Sequence, residues 1–363
     1  MHARTLKLLI ICLVTWQLAG PVGVVVLSFC YLVLRPLALE EADKHGISTV
    51  TSSRMGGSVI IFFIIASLLP QLLSPTTELN GALPVVLASI VALYLLGAAE
   101  DVGAQLHALI RLLTIFLVIV LSFYSLELQN IRLPALPFSI PAQIHYFLLV
   151  LLVVLAAFFI NSFNTADGAN GLVSGIAIIF LVTALEFFGE QSSLAPLWLS
   201  AAIGAGVFFL VNVFVGRFFL GDGGAYALGG LVVATLWFAW LNQPSTLLPL
   251  LCLVLYPVID LTFSGFRRLL AGRSPMSADN YHLHNLLYEY LAKKLPSSVA
   301  NSLTGISIVM LFCGSGYMLR TAPSELLYLL IVLQVAGYTA VWFMLDAYLR
   351  RPNWTQEFSQ SKS

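Results

Sequence analysis

The stretch Asn161-Ser-Phe-Asn-Thr-Ala-Asp-Gly-Ala-Asn-Gly-Leu172 lies between two apolar runs, Phe147–Ile160 and Val173–Phe188. Each run is about long enough to cross much or all of a bilayer. Asn161, Asn164 and Asp167 are spaced i, i+3, i+6, so they share one face if the preceding helix continues through them. Gly168 and Gly171 then allow a tight turn or a close approach to a ligand. An ordinary helix-to-helix turn also uses Asn, Asp and Gly, but it needs fewer polar groups than this. Carboxamides and a carboxylate at a membrane edge suit a hard cation and a phosphate-bearing ligand.

Working outward, the whole chain has the same character. Its 363 residues are 59% hydrophobic and only 9% charged, against about 25% charged in soluble domains. The chain therefore reads as an all-α polytopic membrane protein. Its formal net charge is zero, which leaves no basic field for nucleic acid. Cys12, Cys30, Cys252 and Cys313 all sit inside apolar runs, far apart in sequence, and read as small core hydrophobes. Met1–Gly20 imitates a signal peptide, but Val22–Leu34 follows at once, so one long uncleaved span bent at Gly20-Pro21 is expected.

Apolar runs near 8–34, 57–73, 84–98, 109–126, 145–160, 172–188, 195–215, 224–241, 247–264, 300–319 and 326–345 make about eleven candidate spans. The loops between them alternate in character, and the unusual polar residues collect in one set. Of the 17 Lys and Arg residues, thirteen fall in that set and in the tail, among them Arg54, Arg111, Arg267, Arg268 and Arg273. By the positive-inside rule those loops are cytoplasmic, with the N-terminus outside and the C-terminus inside. Residues 1–349 are expected to form one integral membrane catalytic domain, and 350–363 a polar cytoplasmic tail.

Four further constellations share the cytoplasmic side. Arg54-Met-Gly-Gly57 opens the second span, where Arg54 suits a phosphate clamp and equally an orientation anchor. Glu100-Asp101 closes the third span; adjacent carboxylates there are costly unless they bind a cation or do proton chemistry. Arg111 starts the next span as an anion clamp or a snorkelling anchor. Phe219-Leu-Gly-Asp-Gly-Gly-Ala-Tyr226 sets Asp222 between glycines, as a metal ligand or catalytic acid. The longest loop follows Asp260 and holds Arg267-Arg268, Ser274-Pro275, Asp279 and Tyr281-His-Leu-His284. Adjacent arginines suit a diphosphate. His282 and His284 lack a third ligand of zinc type, so hydrogen bonding to a phosphate or nucleotide is the better reading.

Taken in order, these five motifs resemble the WecA/MraY family of polyprenyl-phosphate N-acetylhexosaminyl-1-phosphate transferases. The similarity runs from Arg54 to about Leu287, and eleven spans look more like the WecA branch. The resemblance implies transfer of a sugar-1-phosphate from a UDP-sugar to a membrane polyprenyl phosphate, with release of UMP. It implies Mg²⁺, or Mn²⁺, held by Asp222 and Asn164 on the donor diphosphate. It places Asp101, with Glu100, where the lipid phosphate arrives. Asn161, Asp167, Gly168 and Asn170 would shape the nucleotide-sugar pocket with Arg54 and Arg111 at its margins, and Arg267, Arg268, His282 and His284 would meet diphosphate and sugar. The setting so implied is the bacterial inner membrane, with the site on its cytoplasmic face and a homodimer left open.

Several positions depart from the family pattern. Glu100 and Asn170 stand where Asp is common, Asn280 where Arg is, and Asn285 where a further His is. These point to a divergent subfamily with a different sugar. The main alternative is a transporter of a phosphorylated or lipid-linked sugar, which expects polar groups along a path rather than on one side. Leu220-Gly-Asp222 is also similar to an intramembrane aspartyl protease motif, but Phe219 replaces the glycine that motif needs, and no Asp-x-x-x-Asp prenyltransferase pair is present.

Overall fold

Apolar segments inside a bilayer must satisfy their own backbone hydrogen bonds, which makes helix the form these runs take. The computed structural model describes residues 15–28 and 39–40 in part, 52–73, 82–125 except 105, and 142–349 except 217, 276 and 278. Among them the chain is helical apart from two-residue strands β1 (Leu39–Glu40) and β2 (Ser52–Ser53), which pair antiparallel. The helices are α1 (Gly57–Leu72), α2 (Ala82–Asp101), α3 (Ala108–Ser125), α4 (Ala142–Ala166), α5 (Leu172–Phe188), α6 (Ala195–Val215), α7 (Gly221–Asn242), α8 (Leu247–Leu253), α9 (Leu255–Leu270), α10 (Leu283–Ala292), α11 (Ser297–Met318) and α12 (Ser324–Leu349).

Six of these helices are long and apolar enough to cross a membrane, and up to seven spans result if the bent pair α8–α9 counts as one. The expected eleven is not reached on this measure. Runs such as Gly57–Pro70, Leu109–Ser122 and Leu172–Phe188 form shorter apolar helices, and 17 residues rise only about 25 Å against a hydrocarbon core of about 30 Å. Most of the expected first span, and all of the 350–363 tail, lie outside the described residues.

The outer helices carry apolar side chains where a soluble protein would carry charge. Leu109, Leu113, Leu117 and Leu121 form an exposed stripe one turn apart on α3. The same pattern covers α12, with Leu329, Val332, Leu333 and Phe343 exposed. Such faces are stable against lipid. This is a multi-pass membrane protein. At its centre runs α7, 67% buried along its span, whereas α12 on the perimeter is 28% buried. Around α7 pack α2, α4 and α1, with α6 and α5 behind.

The run expected at 247–264 is broken, with a bend of 63° between the α8 and α9 segments. Pro257 explains the break, since it has no N–H to close a helical bond to Leu253. The released carbonyls find other donors: Cys313 Sγ donates to Leu253 O (2.8 Å), and Gln334 Nε2 to Cys252 O (3.4 Å). Gln334 also donates to Phe312 O (2.9 Å), inside a π-turn at Met310–Gly314 of α11. One glutamine of the last helix thus secures two irregularities that hydrocarbon would otherwise penalise.

Candidate active site

The ends of α2 and α4 and the start of α7 meet at one place. Just before α7, Phe218, Phe219 and Leu220 run beside the Arg54 motif. Phe219 N–H donates to Ser53 O (2.7 Å), Gly56 N–H to Phe219 O (2.8 Å) and Gly57 N–H to Leu220 O (2.8 Å). The Met-Gly-Gly segment is therefore a backbone partner of Phe219-Leu220, and this pairing brings Arg54 over the start of α7. Gly221 turns the chain into the helix at φ +76°, and a Cβ there would lie 1.9 Å from Arg54 O, so only glycine fits.

The first N–H groups of a helix have no partner within it, and its N-terminus carries partial positive charge. Here two carboxylates supply the missing acceptors. Asp222 N–H and Gly223 N–H donate to the two oxygens of Asp101 at 3.0 Å each, and Gly221 N–H donates to Asp167 Oδ2 at 3.2 Å. Arg54 NH1 stands 3.9 Å from Asp101, whose side chain is only 2% exposed. Asp101 thus joins α2 to α7, with both oxygens engaged, rather than standing open toward the lipid phosphate.

Asp222 differs. Its carboxylate has no hydrogen bond or ion pair among the described residues, and it lies half-exposed within Coulomb range of Glu100, Asp101 and Asp167. Glu100 is held by Arg111 NH1, 3.4 Å from each of its oxygens, which ties α2 to α3. Loss of water pushes the Asp167 carboxyl up to about 7; Arg54 opposes this, while Asp222 and Asp101 add to it. A cation among these acids relieves that crowding of negative charge.

Of the α4 amides, Asn161 turns back to its own helix, donating to Ala157 O (2.8 Å), and Asn164 Nδ2 donates to Tyr226 OH (3.1 Å). Tyr226 was not singled out from the sequence, although it lies one helical turn after Asp222 and so on the same face. Asn170 is 3% exposed. Its Oδ1 accepts from Asn212 Nδ2, its Nδ2 donates to Ser302 Oγ, both at 3.3 Å, and its N–H donates to Asn301 Oδ1 (2.6 Å). It links the start of α5 to α6 and α11, so its side chain is engaged in structure rather than turned toward a sugar pocket.

The long loop also folds inward. Arg267 is 5% exposed; it pairs with Asp279 and stacks over Tyr281 and Trp342, with its guanidinium carbon 5.1 and 5.3 Å from the ring centres. Arg268 is buried too, and donates to Ser264 O and Ser277 O. The structure does not present this pair as an open diphosphate clamp. His284 is buried with Nδ1 3.2 Å from Tyr256 OH, and a Cβ at Gly168 would lie 2.2 Å from its Nε2. The His-Leu-His turn therefore packs on the opening stretch. Burial lowers the His284 imidazole to about 4, against the pull of Asp260. Burial also disfavours charge on His282, but the Asp260 carboxylate outweighs it and the net shift is upward. Asp260, fully buried, is a hub of this turn that sequence reading had used only as a boundary.

Residues 83–240 match the family described as glycosyl transferase family 4. The matched region is less than half of the chain. It contains the acidic pair, the Asn161–Leu172 stretch and the Gly-Asp-Gly-Gly turn, and the resemblance read from the motifs is borne out. Among curated proteins, the undecaprenyl-phosphate alpha-N-acetylglucosaminyl 1-phosphate transferase of Escherichia coli (strain K12) is 32% identical over 150 residues, 39% of this chain and 40% of the relative. The protein of the same name from Salmonella typhi is 27% identical over 196 residues, 52% of each. A phospho-N-acetylmuramoyl-pentapeptide-transferase of Clostridioides difficile (strain 630) is 31% identical over 150 residues, 38% of this chain and 44% of the relative. The matches thus span about half the length of these relatives or less. None of these three is named as a transporter.

Proposed function

We propose that this protein transfers an N-acetylhexosamine-1-phosphate from a UDP-sugar to a polyprenyl phosphate, with UDP-N-acetylglucosamine and undecaprenyl phosphate as the first pair to test. The observation that carries the reading is Asp222: an acid without a partner among the described residues, at a helix N-terminus, ringed by three other carboxylates and flanked by Arg54 and Arg111. The names of the relatives supply the donor and acceptor classes. An oxygen of the lipid phosphate attacks the phosphorus that bears the sugar. The bond from that phosphorus to the bridging oxygen breaks, and UMP leaves. The products are a polyprenyl-diphosphate sugar and UMP.

The residues fit a hard divalent cation. Oxygen donors are in place at Asp222 and Asn164, with a surplus of negative charge around them. Among the described residues no three His, Cys, Asp or Glu side chains form a metal-binding group. Mg²⁺ needs only one or two carboxylates when substrate phosphates and water complete its shell. Bound there, Mg²⁺ or Mn²⁺ would neutralise the diphosphate as the phosphoryl group transfers. Asp101 and Asp167 hold the start of α7, and through it Asp222, in place. Arg54 and Arg111 face the anionic substrates from either flank.

An apolar place for the lipid tail lies along the same helices, away from the acids. An apolar cavity of about 300 Å³ runs between α4, α7 and α8, lined by Phe159, Val233, Trp237, Trp240 and Leu251 among others. Phe159 is two residues from Asn161, so a prenyl chain in this groove keeps its phosphate near the acids. The charge asymmetry of the loops supports a site on the cytoplasmic face of the membrane, and the bacterial source of the relatives supports a bacterial inner membrane, where a soluble UDP-sugar is supplied.

The test is direct. Detergent-purified protein is incubated with a panel of radiolabelled UDP-sugars, undecaprenyl phosphate and Mg²⁺. Label passing into the organic phase with release of UMP is the expected result, and excess EDTA should abolish it. No lipid-linked label from any donor contradicts the reading, and full turnover in EDTA contradicts the metal.

A further inference from the structure

Asp260 of α9 gathers its carboxylate hydrogen bonds from outside its own helix. It is 0% exposed in an apolar core, where a lone carboxylate is strongly disfavoured. Three donors from two places, the His282-Leu283 turn and α12, converge on it. His282 Nδ1 is 2.6 Å from Oδ2, Leu283 N–H donates to Oδ1 at 3.1 Å, and Tyr338 OH of α12 donates to Oδ1 at 2.7 Å.

This arrangement decides the protonation of the ring. Ser264 Oγ donates to the Asp260 carbonyl (2.7 Å), so toward His282 Nδ1, 3.1 Å away, it can only accept. The Asp260 carboxylate also accepts. Nδ1 therefore carries a proton. The opposite edge of the ring differs: Nε2 has no hydrogen-bond partner among the described residues, yet it is not one of the buried polar atoms left without a partner. The ring stacks parallel to His284, with centroids 5.4 Å apart and planes 8° apart. His284 in turn abuts Gly168 of the Asn161–Leu172 stretch. One edge of His282 is tied down, and the other has no partner among the described residues, next to the His284 ring that abuts Gly168.

We propose that Asp260 is a positioning residue for His282: it fixes the ring's orientation and its Nδ1 proton, and as a carboxylate 2.6 Å away it favours the imidazolium, whose Nε2–H is then presented as a donor to the anionic nucleotide-sugar. The inference rests on the proposed function for its ligand, but not for the Asp260–His282 pair itself. Charged and titratable groups around His282 are Asp260, Asp279, Arg268 and His284, with the hydroxyls of Tyr256 and Tyr338 against His284 and Asp260. Of these, Asp260 alone bonds the ring through a carboxylate. Tyr338 lies on the last helix, far outside the matched region, so α12 takes part in holding the turn.

The test uses the full chain in detergent with ¹³Cε1-labelled histidine. Each imidazole is titrated by NMR, and the His282 signal is assigned by its loss in His282→Asn. In Asp260→Asn the amide still accepts from Nδ1 but carries no charge, so the His282 midpoint should fall by roughly one unit or more. Tyr338→Phe removes a donor that stabilises the carboxylate, and should move the midpoint the other way, upward. An unchanged His282 midpoint in Asp260→Asn overturns the proposal. If that variant does not fold, an unchanged midpoint in Tyr338→Phe overturns it instead.

A kinetic cycle then reads the consequence. With UDP-N-acetylglucosamine and undecaprenyl phosphate, the alkaline limb of the rate profile should move to lower pH in Asp260→Asn. The double variant Asp260→Asn/His282→Asn should be no slower than His282→Asn alone, because the carboxylate acts through the ring. A double variant slowed by the product of both single effects would show independent structural roles and overturn the proposal. An inactive wild type would instead refute the proposed function, while the titration still decides the pair.

Discussion

Two polar regions of this protein look alike in sequence and differ in structure. At the start of α7, Asp222 stands half-exposed without a hydrogen bond or ion pair among the described residues. In the last turn of α9, Arg267 and Arg268 are buried, and each finds a partner in the loop that follows. Burying an arginine is costly unless its charge and N–H groups are met, and here Asp279, Ser264 and Ser277 meet most of them, leaving Arg267 Nε without a partner among the described residues. Asp222 pays no such cost, and keeps its charge available for something that arrives from outside. The partnered groups build the frame, and the proposed chemistry is centred on the unpartnered one.

Several substitutions sharpen or break that contrast. Asp222→Asn should have the largest effect on rate, about 10²–10³, equivalent to about 3–4 kcal/mol of transition-state stabilisation. Its melting temperature should stay near wild type, since no bond to the side chain is lost. A large drop in melting would make Asp222 part of the frame.

Asp101→Asn should show the reverse balance. The amide oxygen can cap one of the two N–H groups, while its NH₂ faces the other, leaving a buried donor unmet and the helix end without its anion. A loss of about 1–3 kcal/mol in stability is expected, read from thermal or denaturant unfolding in detergent. Wild-type stability would place Asp101 among the chemical groups instead.

Arg267→Lys tests the loop. Lysine keeps the charge but loses the planar stack on Tyr281 and Trp342 and the fork that meets Asp279. It should unfold more easily by about 1–2 kcal/mol, with any fall in activity tracking the fall in folded protein. A rise in KM for the UDP-sugar with unchanged stability would restore the arginine to the diphosphate.

The smallest effect is one of pH. His284 is neutral in the fold, with its midpoint lowered to about 4 from 6.5, so the unfolded chain binds the extra proton between those values. Stability should decline as pH falls from about 6.5 toward 4. His282 is shifted the other way; its contribution is present at low pH and lost as pH rises, so it cannot cause an acid decline. Melting temperature against pH, with His284→Asn as the comparison, checks this; an equally steep acid decline in the variant would assign it elsewhere.

Much of the frame could be read in advance. Long apolar runs announced helices, and the Asn161–Leu172 stretch, Glu100-Asp101 and Gly221–Gly224 announced the residues that meet. The break at Pro257 was missed because an apolar run looks continuous when only hydropathy is followed. The roles within the polar set were less legible. Asn164 and Asn170 are the same residue type in the same stretch, yet one faces Tyr226 and the other lies sealed between Asn212, Asn301 and Ser302. Spacing along one helix cannot distinguish them, because the partners of Asn170 lie 42 and 131 residues away. Asp260 was hidden for the same reason, since Tyr338 is 78 residues from it.

The central claim is that Asp222 holds the cation whereas Asp101 holds the helix. Initial rate against Mg²⁺ concentration, at saturating UDP-sugar and normalised to folded protein, tests it for Asp222→Asn and Asp101→Asn side by side. Raising Mg²⁺ should recover part of the activity lost in Asp222→Asn, because weakened metal binding is its main defect, and should leave Asp101→Asn unimproved. Recovery of Asp101→Asn with none for Asp222→Asn would reverse the two roles, and full activity in both would move the site elsewhere.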